Sequence, residues 1–415
     1  MVNLYIVNPA HKLRFISRLV FRGAKRIVGN VAVPSKSPPP ASKIPDAIEE
    51  KRPPKINILD LIKADLPPVP PGGLIRSAEY YRDESEGGFV VFRVEDTLFK
   101  VHKCYLLREP SAFGDMFSLP VIEGNKEGLS DDAPIPLSDT AEQFQDLLWV
   151  LYAIPSQLVC ASDSHDSPSL EKLLNIAELT KKYCITSYES WALERILSLA
   201  QNPVGFLRHA APAICARALN IAALTNHKKL LDSITHRLVA RMLWSDVDRQ
   251  PILDVAQARG LRKLQGVAHY KELVDLEKLS TNVDDTDSTT RPIFPPSMGV
   301  EKRMRFLAAH HSLMNLWECV RTTPPVFVED GCTSHAECLT VWTDLWVGAA
   351  EANQTMRHGS ADVLGRLKSM MIVLKKTMME SSSISLGCVL GALEAITTTR
   401  DDIVAGLMDH FQEEY

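Results

Sequence analysis

The chain has 415 residues, 45% hydrophobic and 23% charged, with a formal net charge of −5. That length allows two or three domains with sizeable cores, and the balance is that of a globular chain rather than a fibrous or disordered one. The small negative charge argues against a broad nucleic-acid-binding surface, and no nucleic-acid partner is expected.

The first forty-five residues are basic. Lys12, Arg14, Arg18, Arg22, Lys25, Arg26, Lys36 and Lys43 precede the first acidic residue, Asp46. Leu13, Ile16, Val20 and Ile27 interleave with these charges, so residues 1–45 read as a basic extension, disordered or amphipathic. A mitochondrial presequence or a membrane-surface helix has the same composition. Residues 46–78 form a proline-punctuated linker, marked by Pro53-Pro54, Pro67-Pro68 and Pro70-Pro71, because proline removes a donor and disfavours helix before it.

A folded unit is expected over residues 79–200. Phe89 to Val94 reads as a strand, Glu95-Asp96 as a turn, and Thr97 to His102 as the returning strand. Short helices follow over 103–107 and 111–119, the second capped by Ser111. Ile135-Pro136-Leu137 is a short strand whose proline places it at an edge. A helix over 141–152, capped by Ser138 or Asp139, turns Phe144, Leu147, Leu148 and Leu151 to one side. Two more helices fit 170–183 and 186–200.

Within this unit, Phe99, His102, Lys103, Leu106, Ser111, Phe113, Met116 and Phe117 stand in the order and spacing of the BTB/POZ signature. Residues 135–139, then Phe144 and the Leu151-Tyr152 ending, resemble the family's third strand and helix. Residues 80–198 are thus similar to a BTB/POZ domain, of the type found in fungal (basidiomycete-type) proteins. The resemblance implies an α+β fold, a small sheet covered by helices, followed by a mainly α-helical C-terminal region. It implies protein–protein interaction without catalysis: a self-associating scaffold or adaptor, as a homodimer or on another protein. Some family members dock on cullin-type ubiquitin-ligase scaffolds through an apolar-x-Glu triplet, and Val121, Ile122 and Glu123 occupy that place. Many members also carry an acidic residue in the first strand facing the basic residue after the histidine. Counting back from His102, that place holds Phe89 instead, so Lys103 stands without the acidic partner. His102, at a strand-to-helix junction with no acid or nucleophile at local spacing, reads as a hydrogen-bonded structural residue.

Residues 201–280 are helical, with apolar stripes at Phe206, Ile214, Leu219 and Ile221, at Leu230, Ile234, Leu238 and Met242, and at Ile252, Val255, Ala256 and Leu264. Ala256, Gly260-Leu261, Leu264, Gly266, Ala268 and Tyr270 also resemble a stretch of fungal BTB proteins. Residues 281–299 are polar and proline-bearing, a flexible linker. Residues 300–415 are helical again, with stripes at Val363, Leu367, Met370, Met371 and Leu374, at Leu386, Val389, Leu390, Leu393 and Ile396, and at Ile403, Leu407 and Phe411. Trp317, Trp342 and Trp346 are expected core anchors.

The most chemical-looking feature is Cys332-Thr-Ser-His335-Ala-Glu-Cys338. Its short spacing suits tetrahedral zinc, with Cys319 as the fourth ligand. Spacing by three is also helical spacing, so the same residues can line one buried helix face. The expectation is no metal and no cofactor. The chain shows no phosphate-binding loop, dinucleotide fingerprint, nucleophile elbow or His-Glu-x-x-His, and is read as not an enzyme; a helical metalloprotein or enzyme of unknown activity is the alternative from another class. Eight cysteines without an even framework and no apolar leader point to an intracellular location, cytoplasmic or nuclear. No run of about 18 apolar residues suggests a membrane span.

Overall fold

A computed structural model describes residues 88–119, 127–159, 168–202, 205–281, 294–295, 297–329, 331–380 and 384–412. The basic extension, the proline-rich linker, most of the 281–299 linker and the Val121-Ile122-Glu123 triplet lie outside the described residues.

Strands β1 (Phe89–Val94) and β2 (Thr97–His102) pair as an antiparallel hairpin with Val94 opposite Thr97 and Phe89 opposite His102. The β-branched and aromatic residues of β1 bury Val90, Val91, Phe92 and Val94, because the strand lies in the centre of the sheet. The hairpin turns on Glu95, whose φ is +51°. That left-handed backbone is costly for a residue with a Cβ, and Glu95 is anchored there by accepting a hydrogen bond from the Ala141 amide at 2.9 Å. Helices α1 (Lys103–Leu106) and α2 (Ala112–Phe117) follow, and β3 (Ile135–Leu137) joins the other side of β1 in parallel. The sheet order is β2-β1-β3, so Pro136 sits on an edge as its missing donor requires.

Helix α3 (Ala141–Tyr152) starts at Thr140, not at Ser138 or Asp139. Thr140 and Gln143 form a reciprocal capping box. Asp139 instead accepts from the Tyr183 hydroxyl and, at 2.6 Å, from Lys182. A short helix α4 (Pro155–Val159), not expected from the sequence, precedes α5 (Leu170–Lys182) and α6 (Thr186–Gln201). The core of this part holds aromatic rings in edge contact: Phe92 lies 5.8 Å from Phe113 and 5.5 Å from Phe144, and Phe113 stacks on Tyr183 at 4.4 Å.

The core continues past residue 200. Helices α7 (Phe206–His209), α8 (Pro212–Leu224), α9 (Lys228–Trp244), α10 (Gln250–Ala258) and α11 (Arg262–Thr281) extend it; α5 packs on α8 and α6 on α9. Gly260 takes a left-handed φ of +66° at the end of α10, where glycine costs least. Gly266 lets the chain end come close: a Cβ there would stand 2.5 Å from the Met408 nitrogen.

Helices α12 (Val300–Thr322), α13 (His335–Glu351), α14 (Asn353–Met356), α15 (Val363–Glu380) and α16 (Leu386–Gly406) complete the fold, and a 3-10 turn, Leu407–Phe411, docks on α11 and α12. Trp317, Trp342 and Trp346 are buried, and the indoles of Trp342 and Trp346 donate to the carbonyls of Pro325 and Val320. In α16 the buried face is Cys388, Ala392 and Ile396. Of the expected stripe, Ile396 is buried and Val389 and Leu393 pack on the core, but Leu386 and Leu390 are 76% and 61% exposed, because the small residues Cys388 and Ala392 take the inward face there. The architecture is α+β at the coarse level, one three-stranded sheet within a mostly helical chain.

Candidate functional site

The eight signature residues have identifiable tasks. Phe99 packs on Phe144 at 5.1 Å, and Leu106 and Phe113 are buried. Ser111 caps α2 through the Gly114 amide and donates to the Leu106 carbonyl at 3.1 Å. Lys103 lies over the Phe117 ring at 5.2 Å, and Met116 is half-buried against the core. The His102 ring lies tilted against Phe89, centroids 4.3 Å apart, and meets the Tyr152 hydroxyl at 2.9 Å through Nδ1. The aromatic end of α3 is therefore held by the histidine at the end of β2.

Beside that contact lies an open groove of about 480 Å³. Tyr105, Tyr152, Tyr188, Arg108, Ile154 and Leu158 are among its walls. Tyr105 and Tyr152 stack at 4.1 Å, and the Arg108 guanidinium lies 4.3 Å over Tyr105 while donating to the Leu151 carbonyl. Glu109 accepts from the Ser187 amide and from the hydroxyls of Thr186 and Ser187, fixing α6 and with it Tyr188. Tyrosine and arginine combine apolar area with donors and lose little entropy when already stacked, so they dominate protein-binding hot spots. Ile154, 58% exposed, adds an apolar anchor. The sequence reading missed this groove because α4, which forms one wall, has no periodicity of its own.

A second cluster occupies the helical half. Cys332, Cys338 and Cys388 bring their sulfurs within 4.8 Å of one another, with Cys332 and Cys338 at 3.8 Å. His335 Nδ1 lies 3.4 Å from the Cys388 sulfur. Cys319 is exposed on α12 and is not in this group; the third sulfur is that of Cys388, supplied by α16 from 50 residues beyond Cys338. Hydrogen bonding from Ser385, and then from the Ser334 amide, pulls the Cys332 thiol down, whereas burial pushes the Cys388 thiol up.

A third polar group lines a cavity of about 490 Å³ between α9, α11 and α15. Ser369 Oγ lies 2.8 Å from His358 Nε2, and His358 Nδ1 lies 3.1 Å from Asp362. The order is that of a nucleophile, base and orienting acid. Its surroundings are those of a helix cap. Asp362 accepts from the buried Tyr270 hydroxyl at 2.7 Å and from the Gly365 amide at 3.0 Å. Ser369 sits inside α15, so its own backbone N–H belongs to the helix. Next to it Glu277, buried on α11, accepts from the Ser360 amide and hydroxyl, both at 2.6 Å, and from the Ala361 amide. These contacts clamp the loop before α15 onto α11.

Among the described residues no helix is long and apolar enough to cross a membrane. No protein-family model matches the chain, and neither a curated protein nor a solved structure does.

Proposed function

We propose that the chain is a non-enzymatic protein-interaction module of BTB/POZ type whose N-terminal folded part binds protein, a second copy of itself in the first instance, through the tyrosine–arginine groove. The observation that carries this reading is the ordered set Tyr105, Tyr152, Tyr188 and Arg108 around an exposed Ile154: Arg108 lies over Tyr105, Tyr105 packs against Tyr152, and Arg108 donates to the Tyr188 hydroxyl. It is supported by the order of two strands, two short helices, a third strand and a third helix over residues 89–152, which is the order the signature resemblance implies. The groove offers apolar surface and hydrogen-bonding heads but no reacting group, and binding without chemistry is what such a surface does.

Light scattering on the full chain tests the proposal, comparing wild type with Ile154→Glu and Tyr188→Glu. Self-association of the wild type that is lost in both variants supports it. A wild type that stays monomeric at all concentrations and retains no protein in affinity purification overturns it.

A further inference from the structure

We propose that Cys332, Cys338 and Cys388 supply three thiolates to a structural binding site for one Zn²⁺ ion, the fourth position being taken by His335 when its ring turns in from its contact with Cys388. The case starts from distances. Zinc bound to thiolates at about 2.3 Å in a tetrahedron separates the sulfurs by about 3.8 Å, and separates a sulfur from an imidazole nitrogen by about 3.5 Å. Cys332 and Cys338 stand 3.8 Å apart, and His335 Nδ1 stands 3.4 Å from Cys388. All three sulfurs fall within 4.8 Å of one another, so a small inward turn of the side chains brings them to the tetrahedral spacing of about 3.8 Å.

The local fold supplies the geometry. Cys332 lies in the turn before α13, His335 is the first residue of α13, and Cys338 lies three residues further on the same helix. Cys388 is the third residue of α16, whose N-cap Ser385 accepts from the Cys388 amide at 3.3 Å. Cys332 and Cys388 therefore both stand at the N-terminal ends of helices, where unpaired N–H groups suit a group of net negative charge. Three thiolates around Zn²⁺ leave one negative charge, which these ends offset. The Ser334 amide and the Ser385 hydroxyl also direct hydrogen at the Cys332 sulfur, the outer-shell support that metal-bound thiolates receive. The Phe327 ring stands 5.6 Å from that of His335 and forms an apolar wall beside the ligand.

Buried free cysteines pack as small hydrophobes and need no polar company. Here two buried cysteines, Cys338 and Cys388, and the half-buried Cys332 meet beside a histidine and two serines, which apolar packing does not explain. Binding is not a redox step: Zn²⁺ displaces the thiol protons to solvent and forms three Zn–S bonds and one Zn–N bond. The ion would join the turn at Cys332 to the start of α16, tying two segments that are distant in sequence.

The test is elemental analysis of the full chain purified under reducing conditions without chelator, followed by exchange with Co²⁺ and visible spectroscopy. The expected result is one zinc per chain, and a cobalt spectrum with thiolate charge-transfer and tetrahedral ligand-field bands. Cys338→Ser and Cys388→Ser should lose the metal, Cys319→Ser should keep it, and His335→Ala should weaken it at least tenfold. Wild-type protein that holds no zinc and gives no such spectrum on titration with Co²⁺ overturns the proposal without reliance on any variant. A Cys388→Ser protein that binds as tightly as wild type, or a native Cys332–Cys338 disulfide found by mass spectrometry under the same reducing conditions, overturns it equally.

Discussion

The Tyr152 hydroxyl stands 2.9 Å from Nδ1 of His102 and 3.0 Å from the His102 backbone nitrogen. The amide donates to the hydroxyl oxygen, which leaves the phenolic hydrogen to reach Nδ1. One side chain at the end of α3 thereby satisfies two groups at the end of β2. Tyr152→Phe keeps the stack on Tyr105 and removes both bonds. The contact is partly solvated, so the expected loss is about 1 kcal/mol, read as a lower urea midpoint with an unchanged slope. A midpoint within error of wild type would reduce the tyrosine's role to packing.

The capping box at α3 is built on Thr140 and not on Ser138 or Asp139, the two caps that the sequence suggests. Thr140→Ala removes the hydroxyl that accepts from the Gln143 amide at 3.2 Å and should cost about 1 kcal/mol. Ser138→Ala, which leaves the box intact, should cost less. Chemical denaturation of the two variants decides between them, and equal losses would place the cap elsewhere.

The hairpin, the edge strand and α3 were legible in the sequence because each rests on a local rule: period-two β-branched residues, proline at an edge, and apolar residues spaced by three and four. The outward turn of Leu386 and Leu390 was not legible. Periodicity counts large apolar residues, and in α16 the inward face is carried by Cys388 and Ala392, which fit because Phe327 comes close: a Cβ on Gly391 would meet its ring at 3.0 Å. Cys332, His335 and Cys338 were visible as a spacing, but their companion was misassigned to Cys319. Nothing local to Cys388 announces that α16 starts beside α13. The groove was hidden for the same reason, since Tyr105, Tyr152 and Tyr188 meet only in space.

Gly266 and Gly348 give opposite expectations for the same substitution. Both lie within helices, but a Cβ on Gly266 would press on the Met408 backbone at 2.5 Å, whereas one on Gly348 meets nothing within 4 Å. Gly266→Ala should destabilise by about 1–3 kcal/mol through overpacking against the chain end. Gly348→Ala should stabilise by about 0.5–1 kcal/mol, because alanine loses less backbone entropy in a helix. Thermal unfolding of the pair should move the two midpoints in opposite directions; a shift of both in the same direction would contradict the close approach of α11 and the C-terminal turn.

Glu277 links stability to acid. Burial alone would raise its carboxyl, but hydrogen bonds from His310, from the Ser360 hydroxyl and amide, and from the Ala361 amide outweigh that and hold it at about 2, below the ordinary 4.5. The ionised form is thus favoured in the folded state. Its contribution is fully present above about pH 4.5 and is lost as pH falls through about 2. A depression of this size corresponds to on the order of 3 kcal/mol. Glu277→Gln retains one acceptor oxygen but cannot ionise, and a Gly359 backbone that already lies against this side chain leaves it little room to repack. The variant should be less stable than wild type at neutral pH, and the gap should narrow as pH falls from 4.5 towards 2. Denaturation midpoints measured across that range test both statements. A constant gap at every pH would mean that Glu277 holds the loop before α15 by shape rather than by charge.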